Sequence, residues 1–174
     1  EEIEAFNLPI SKLATTKWIK DHLLQNYNIK IDAVISNGTF TAPFILKSPK
    51  PPLEPICIGM CCANHPMKGM KYGFNALIKI KEKYPNTKII LFGYQKPDKS
   101  INIDYEWIQS PVGERLRETY RNIHIFISSS TQEGCHNPPR EAMAAECALV
   151  ATNVGCIPDI AEDNVNAFVV NPGS

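Results

Sequence analysis

The sequence lacks a long apolar segment and lacks an excess of charge of either sign. No apolar run approaches the roughly 18 residues that a membrane-spanning helix needs. Eighteen basic residues balance eighteen acidic ones, so there is no large positive field to bind a phosphate polymer by counterion release. We therefore expect neither a transmembrane segment nor a nucleic-acid partner.

The six cysteines do not form a pattern typical of disulfide-rich or zinc-binding domains. Five of them lie in or beside apolar stretches: Cys57, Cys61, Cys62, Cys135 and Cys147. Cys61 and Cys62 are adjacent in a predicted strand, where neighbouring side chains point to opposite faces, and no second pair follows at zinc spacing. We interpret these residues as reduced thiols of a cytoplasmic protein and expect no bound metal.

Two common nucleotide-binding motifs are missing as well. Neither a Gly-x-Gly-x-x-Gly triplet nor a Gly-Lys-Ser/Thr sequence follows the first buried strand, which argues against NAD-dependent enzymes and P-loop NTPases. What is present is ordinary for a globular protein: 174 residues, 44% of them hydrophobic and 21% charged. That is enough for one sizeable folded core.

The pattern along the chain changes after a proline-rich segment. A helix is predicted at Thr15–Asn26 behind a threonine cap, and a short strand at Asp32–Ile35. Five prolines between Pro43 and Pro55 predict a linker. Beyond it, strands are predicted at Pro55–Cys62, Thr87–Gly93, Asp104–Gln109, Ile123–Ser128, Ala148–Thr152 and Ala167–Val170, and helices at Lys68–Tyr84, at Pro111–Asn122 and after Asn137.

This alternation of continuous apolar strands with amphipathic helices predicts an α/β fold. The expected architecture is a Rossmann-like parallel sheet with helices on both faces. Ligands of such sheets bind at the carboxyl ends of the strands. The loops to inspect are therefore those at residues 63–67, 93–98, 110–113, 128–137 and 153–158.

The loop "SSSTQEGCHNPP" offers main-chain amides ahead of a helix. The amides from Gly134 to Asn137 precede a helix that Asn137 can cap, and a diphosphate fits such a position because free amides and the helix dipole favour negative charge. The two prolines that follow lack an amide, so His136 and Asn137 are expected to bind the phosphates. Lys68 lies at the same edge and could neutralise a phosphate oxygen; the alternative is a solvated surface lysine.

Two carboxylates bracket this loop. Glu141 is predicted in the first turn of the helix, where it could accept two hydrogen bonds from a ribose diol. Glu133 is predicted on the loop, where it could accept hydrogen bonds from sugar hydroxyls. In the alternative interpretation Glu141 only stabilises the start of its helix and Glu133 is solvated.

The order "EG…PPREAMAAECALVAT…GCIPDIAED…NAFVVNPG" resembles the C-terminal half of the retaining glycosyltransferases of family 4. These enzymes have the GT-B fold, in which two Rossmann-like domains face each other. The family is marked by Glu, seven residues, Glu and then Ala-Met-Ala, and Glu133 and Glu141 match this pattern. The segments "ISNG", "IGMCCANHPMKG" and "KIILFG" resemble earlier parts of the same family, so the resemblance covers nearly the whole chain.

The resemblance implies a division of the chain and a missing partner. Residues 1–52 would be the end of an N-terminal domain plus the interdomain linker, and residues 53–174 a C-terminal nucleotide-sugar-binding domain, truncated at its C-terminus. The chain starts without methionine, which favours an excised segment. The acceptor, a glycan, lipid or small molecule, is expected to bind across the cleft to the missing N-terminal domain. The fragment alone is therefore expected to be inactive.

The resemblance also implies an activity and a set of site residues. The complete protein would be a hexosyl-type transferase that moves a sugar from a nucleotide-diphosphate donor with retention, without cofactor or metal. Glu133 would be the catalytic residue that orients the sugar, while the leaving phosphate takes the acceptor proton. The donor-binding residues would be Glu141, Lys68, Gly134, Cys135, His136, Asn137, Gly59, Ser110, Pro111 and Leu116, with a uracil, guanine or adenine base against Ser110 and Pro111.

Four positions depart from the family pattern. Met60 follows Gly59 where the family usually has arginine, and His136 replaces a loop glycine. Glu146 stands where a glycine commonly ends the helix, at a cost on the order of 1 kcal/mol if the left-handed geometry persists. Cys156 replaces the second glycine of a Gly-Gly pair. These changes bear on affinity and donor type more than on fold.

Three other functions stay open. Paired carboxylates can hydrolyse a glycosidic bond, but that use leaves the amide-rich loop unexplained. A GT-B sugar-nucleotide epimerase shares the architecture but not the spacing of the two glutamates. A domain that binds nucleotide sugars without catalysis is the third. For the whole protein we expect a cytoplasmic location, either free or peripheral at the inner membrane face.

Overall fold

The computed structural model describes residues 4–38, 44, 49–97 and 101–173. Residues 43 and 45–48 of the predicted linker, and Asp98 at the end of the predicted loop at 93–98, lie outside these residues. The proposed boundary between residues 52 and 53 stays a prediction.

The N-terminal part of the described chain forms a small unit of its own. Strands β1 (Leu13–Ala14) and β2 (Ala33–Val34) pair in parallel, and helix α1 (Lys17–Tyr27) connects them. The threonine cap is confirmed, because the Thr16 hydroxyl accepts a hydrogen bond from the Ile19 amide at 3.3 Å. A 3-10 turn at Glu4–Asn7 precedes β1.

The rest of the chain builds a six-stranded sheet. Its strands are β3 (Cys57–Cys62), β4 (Lys88–Gly93), β5 (Glu106–Gln109), β6 (Ile125–Ser128), β7 (Ala148–Thr152) and β8 (Ala167–Val170). All neighbours are parallel, in the order β5-β4-β3-β6-β7-β8. The predicted Rossmann-like α/β fold is confirmed, and each strand ends at the predicted residue.

Helices cover both faces of this sheet and bury one apolar cluster on each. The helices are α2 (Met70–Lys83), α3 (Gly113–Arg121), α4 (Asn137–Ala144) and α5 (Ile157–Ile160). On one face Leu77 of α2 is fully buried with Met60 and Leu91 of the sheet. On the other face Tyr120 of α3 and Ala142 of α4 are fully buried in the second cluster. Because helices cover both faces of the sheet, its strands can carry apolar side chains on both sides.

Three helices begin two residues later than predicted, and the first of them is α1, which begins at Lys17 and not at Thr15. The helix predicted from Lys68 begins at Met70, because a 3-10 turn at Pro66–Lys68 and Gly69 in the left-handed region (φ 59°) come first. The helix predicted from Pro111 begins at Gly113. There the Ser110 amide donates to the Gly93 carbonyl at 2.8 Å, which ties the chain to β4 and keeps the following residues extended.

The start of α4 also differs from the prediction. Asn137 is the first helical residue and His136 occupies the cap position, without a side-chain cap bond. A capping side chain needs the amides of the second and third helical residues, and here these are Pro138 and Pro139. Glu141 therefore lies in the second turn of the helix, not the first.

The structure gives the backbone conformation at three of the four positions that depart from the family pattern, namely His136, Glu146 and Cys156. Glu146 retains the left-handed geometry (φ 57°) that its glycine-like position predicts. His136 is extended (φ −89°, ψ 138°), so no glycine is needed there. At the position of the family's Gly-Gly pair, Gly155 takes the left-handed conformation (φ 59°), and Cys156 takes an ordinary right-handed helical conformation (φ −86°).

Candidate functional site

The crevice at the carboxyl edge of the sheet lies between β3 and β6. These strands are neighbours, but the chain runs from β3 outward through β4 and β5 before it returns to β6. The loops after β3 and β6 therefore diverge, which is the arrangement that opens ligand crevices in such sheets. Lys68 follows β3 and Glu133 follows β6, so the two meet across this point.

Lys68 and Glu133 form an ion pair. Lys68 Nζ lies 2.6 Å from Glu133 Oε1, and the Ser130 hydroxyl donates to the same oxygen at 2.8 Å. The Glu133 side chain is only 11% exposed and that of Lys68 is 36% exposed. Glu133 is thus held in a defined position on the loop instead of being solvated.

Glu141 has a different environment. The fully buried Tyr120 hydroxyl lies 2.9 Å from Glu141 Oε2 and 3.3 Å from the Pro138 carbonyl oxygen, and it can donate to either. Burial raises the pKa of Glu141, and the hydrogen bond from Tyr120 acts in the opposite direction. Burial, with the nearby Glu141, raises the pKa of Tyr120 well above its ordinary value, so Tyr120 stays a donor.

The His136 side chain is packed inward. Its Nε2 lies 3.3 Å from the Ser128 hydroxyl, and its carbonyl accepts a hydrogen bond from the Cys156 thiol at 3.6 Å. Burial lowers the pKa of His136; Glu133 acts to raise it and Lys68 to lower it further. The ring therefore packs as a neutral imidazole, and the part of His136 that can reach a ligand is its main chain.

Three main-chain amides of the loop before α4 are available to donate hydrogen bonds to a ligand. Within the described residues, the amides of Gly134, Cys135 and His136 donate to no main-chain carbonyl. They lie at the start of α4, which has no side-chain cap. The loop therefore presents donors next to the positive end of a helix dipole, a combination that binds anions.

Two neighbouring segments hold this loop. A Cβ at Gly155 would lie 2.8 Å from both Glu133 Cβ and the Gly134 carbonyl oxygen, so the loop after β7 packs directly against it. The N-terminal unit is the second segment, since a Cβ at Gly134 would lie 3.5 Å from Cδ1 of Ile19 in α1. Arg140 of α4 also donates to the Asn37 carbonyl.

A cavity of about 70 Å³ lies beside the Lys68–Glu133 ion pair. It is lined by Cys61, Ala63, Lys68, Met70, Phe126, Ile127, Ser128, Ser129, Ser130, Glu133, His136 and Pro138. Sites for small-molecule ligands usually measure about 300–1,000 Å³, so this cavity can receive only one end of a nucleotide sugar.

A larger cleft of about 870 Å³ opens on the α2 side of the same edge. It is lined by His65 of the loop after β3, by Tyr94 and Lys96 of the loop after β4, by Lys71 of α2 and by Gln109 at the end of β5, among others. None of the sequence-predicted site residues is among its described lining.

Of the predicted site residues, only Lys68, Glu133 and His136 are in the described lining of the 70 Å³ cavity; Glu141, Gly134, Cys135 and Asn137 are not. Gly59 lies inside β3, where a Cβ would come within 2.2 Å of Ile123, so the absent side chain makes room for that residue. Ser110 is exposed with φ 39°, Pro111 is buried, and Leu116 packs against the apolar cluster of α3 and α4. Their contacts with a donor stay predictions.

Sequence reasoning missed two partners of the carboxylates. Ser130 is one of three serines in a row, and nothing in the sequence distinguishes it. Tyr120 had a usable signal, since it lies on the inward face of a predicted helix and a buried tyrosine hydroxyl usually needs a hydrogen-bond partner. Its partner, 21 residues away along the chain, could not be inferred.

The described residues contain neither a metal-binding cluster nor a membrane-spanning helix. No group of three or more His, Cys, Asp or Glu side chains there is arranged to bind a metal ion. No helix in that part of the chain is long and apolar enough to cross a membrane.

Comparison with solved structures shows which proteins share this fold. The C-terminal domain of a glycosyl transferase group 1 family protein from Francisella tularensis aligns with a TM-score of 0.63 and 24% identity, covering 79% of this chain and 82% of that one. A glycosyltransferase from Rickettsia africae aligns at 0.74 and 21%, covering 100% and 54%. Anabaena HepE, solved in complex with UDP, aligns at 0.73 and 16%, covering 98% and 52%.

These proteins are distant and some are much longer. At such identities the likeness establishes the fold alone, and the chain spans about half of the Rickettsia and Anabaena proteins. A sequence comparison with curated proteins found no match. A family model described as "Glycosyl transferases group 1" matches residues 55–174, which is more than half of the chain. The chain therefore belongs to the group 1 glycosyl transferases.

Proposed function

We propose that this chain binds a nucleoside-diphosphate sugar at the crevice between β3 and β6. In the complete protein, the sugar would pass to an acceptor hydroxyl with retention of configuration, as in the GT-B enzymes of family 4. The observation that carries this proposal is the row of available amides at Gly134, Cys135 and His136, bracketed by Glu133 and Glu141.

The diphosphate would bind to the loop amides at the start of α4. The donor has two negative phosphates, and the site offers main-chain donors, a helix dipole and the Lys68 ammonium. As the sugar leaves, charge grows on the diphosphate, and donors that are already in place stabilise this charge without reorganisation. No metal is needed for this scheme.

Glu141 would bind the ribose. Tyr120 donates to Oε2 of its carboxylate, which leaves Oε1 and the second lone pair of Oε2 for the two hydroxyls of a diol. A carboxylate that accepts from a diol is a charge-assisted contact, which is stronger than a neutral one.

Glu133 would orient the donor sugar. Its Oε1 already accepts from Lys68 and Ser130, so Oε2 is the oxygen that faces a sugar hydroxyl. Lys68 would be shared between this carboxylate and a phosphate oxygen. In this scheme Glu133 does not attack the sugar; the leaving phosphate takes the acceptor proton.

The relatives support a first choice of nucleotide. Anabaena HepE has been solved with UDP and with UDP-glucose, so we propose a uridine diphosphate hexose as the first donor to test. The base would lie near Ser110 and Pro111. A glycan, lipid or small-molecule acceptor would bind to an N-terminal domain that faces this one.

Calorimetric titration tests the proposal. The chain is titrated with UDP, GDP, ADP and dTDP and with their sugar conjugates, alongside Glu141→Ala and the control Glu82→Ala, which removes an exposed glutamate of α2. We expect one nucleotide to bind, the control to bind equally and Glu141→Ala to lose binding. Failure of every nucleotide, both with this chain and with a longer chain that contains two facing domains, would overturn the proposal.

A further inference from the structure

Two cysteines lie side by side where the loop before α4 meets the loop before α5. The Cys135 thiol lies close enough to the Cys156 thiol to act, after burial, as a cause of the raised pKa of Cys156. The surrounding main chains are also in contact: Cys156 Sγ lies 3.6 Å from the His136 carbonyl oxygen, and a Cβ at Gly155 would lie 2.8 Å from the Gly134 carbonyl oxygen. The two thiols therefore belong to backbones that already touch on both sides of the pair.

The two thiols differ in access and in electrostatic surroundings. Cys135 is half-buried, whereas Cys156 is only 2% exposed. Arg140 Nη1 lies 3.3 Å from Cys135 Sγ, which places a positive charge beside this sulfur. Burial, followed by the neighbouring Cys135, raises the pKa of Cys156 to about 11, so this thiol is protonated at neutral pH.

We propose that Cys135 and Cys156 are a redox-sensitive pair that a peroxide converts into a disulfide, with Cys135 as the attacking thiolate and Cys156 as the resolving thiol. The Cys135 thiolate attacks one peroxide oxygen, the O–O bond breaks, and hydroxide leaves to become water. The resulting sulfenic acid is then attacked by Cys156, the S–O bond breaks, and the hydroxyl leaves with the Cys156 proton as a second water. The two sulfurs lose two electrons, and hydrogen peroxide is reduced.

This bond would tie the loop after β6, which borders the crevice, to the loop after β7. Cys135 lies between Gly134 and His136, whose amides are available for an anion. The remaining cysteines lie elsewhere: Cys57, Cys61 and Cys62 are in β3, and Cys147, which precedes β7, contacts Lys50 and the Ile123 carbonyl. The disulfide does not depend on the proposed donor binding, since its formation needs only the two thiols and the oxidant.

Peptide mapping tests the pair. The native chain is treated with hydrogen peroxide, the remaining thiols are alkylated, and the protein is digested with trypsin. Cleavage after Arg121 and Arg140 releases residues 122–140, with Cys135 as their cysteine, and residues 141–174, with Cys147 and Cys156. We expect the two peptides to be joined, with Cys147 alkylated. The mass of the joined product should be two hydrogens below the summed masses of the two peptides with Cys135 and Cys156 as free thiols. Dithiothreitol should separate the peptides again.

Variants and fragmentation assign the bond. Cys147→Ser should keep the link, whereas Cys156→Ser should lose it and leave a Cys135 sulfenic acid that dimedone traps. Arg140→Gln should slow the reaction. Fragmentation of the joined wild-type peptides identifies the linked sulfurs even if a variant does not fold. A link through Cys147, or oxidation of Cys135 in the wild type without any link to Cys156, would overturn the proposal.

Discussion

The two glutamates that bracket the loop before α4 occupy regions of opposite electrostatic character. Glu133 is compensated within the protein, since a lysine and a serine hydroxyl contact the same carboxylate oxygen. Glu141 has a neutral partner, Tyr120, and burial raises its pKa. Equal residue types at a fixed spacing therefore do not imply equal roles. The compensated carboxylate is suited to positioning, and the uncompensated one gains more from a ligand that donates hydrogen bonds.

The largest expected effect separates the two carboxylates directly. Glu141→Gln should weaken nucleotide binding by about 10- to 100-fold, since a hydrogen bond to a charged group contributes roughly 1.5–3 kcal/mol. Glu133→Gln should leave binding of the bare nucleotide nearly unchanged but reduce the preference for the sugar-bearing form. Calorimetry with UDP and UDP-glucose measures both. Equal losses of UDP affinity in the two variants would contradict the contrast between the two regions.

The second test removes the cation that compensates Glu133. Lys68→Met should weaken binding of a nucleoside diphosphate by roughly tenfold, because one charge-assisted contact to phosphate is lost. Binding of the nucleoside without phosphates should not change. Lys71→Met, at an exposed lysine in the first turn of α2, is the matched control and should behave like the wild type. If both variants lose affinity equally, general charge rather than the paired Lys68 is responsible.

The third test addresses the neutral partner of Glu141. Tyr120→Phe removes the hydroxyl and leaves a half-buried carboxylate without this donor, so the free energy of unfolding should fall by about 1 kcal/mol. Tyr84→Phe, at an exposed tyrosine, should have no comparable effect. Urea denaturation of both variants provides the comparison. A fully stable Tyr120→Phe protein would show that the hydrogen bond contributes nothing net.

The smallest expected effect concerns pH. Because the pKa of Glu141 is raised in the folded state, its contribution to stability is complete below the ordinary value near 4.5 and is lost as pH rises through the folded value. The Glu141→Gln variant lacks this loss. Its stability relative to the wild type should therefore increase between about pH 4 and pH 7, as measured by denaturation at each pH. A constant difference, or one of opposite sign, would contradict the raised pKa.

The sequence predicted most of the sheet, and it predicted the loop on which the candidate site is proposed. Strand ends were predictable because apolar runs stop where the carboxyl edge meets solvent, as β3 does at Cys62 and β4 at Gly93. Helix starts were less predictable, since they depend on contacts from other strands. Because the Ser110 amide donates to the Gly93 carbonyl, α3 begins only at Gly113. The close approach of Gly69 to the Ser129 carbonyl likewise precedes the start of α2 at Met70.

Pairings within the site could not be read from the sequence. Lys68 and Glu133 were each assigned to a ligand, but their contact with each other depends on strand order, which local patterns do not contain. The left-handed Glu146 was predictable in contrast, because its geometry is a property of one residue at the end of one helix. Local backbone requirements are visible in a sequence, and distant side-chain partners are not.

The crossing of the chain at the β3–β6 boundary has a consequence for how the protein assembles. The Lys68–Glu133 contact joins residues 65 apart, one from each half of the sheet. Contacts of such long range form only when the intervening chain has folded back. A ligand that contacts both loops would bind only those protein molecules in which both halves of the sheet are folded and packed together. It would stabilise that state by mass action. Ligand binding would thus couple the two halves into a single unfolding transition.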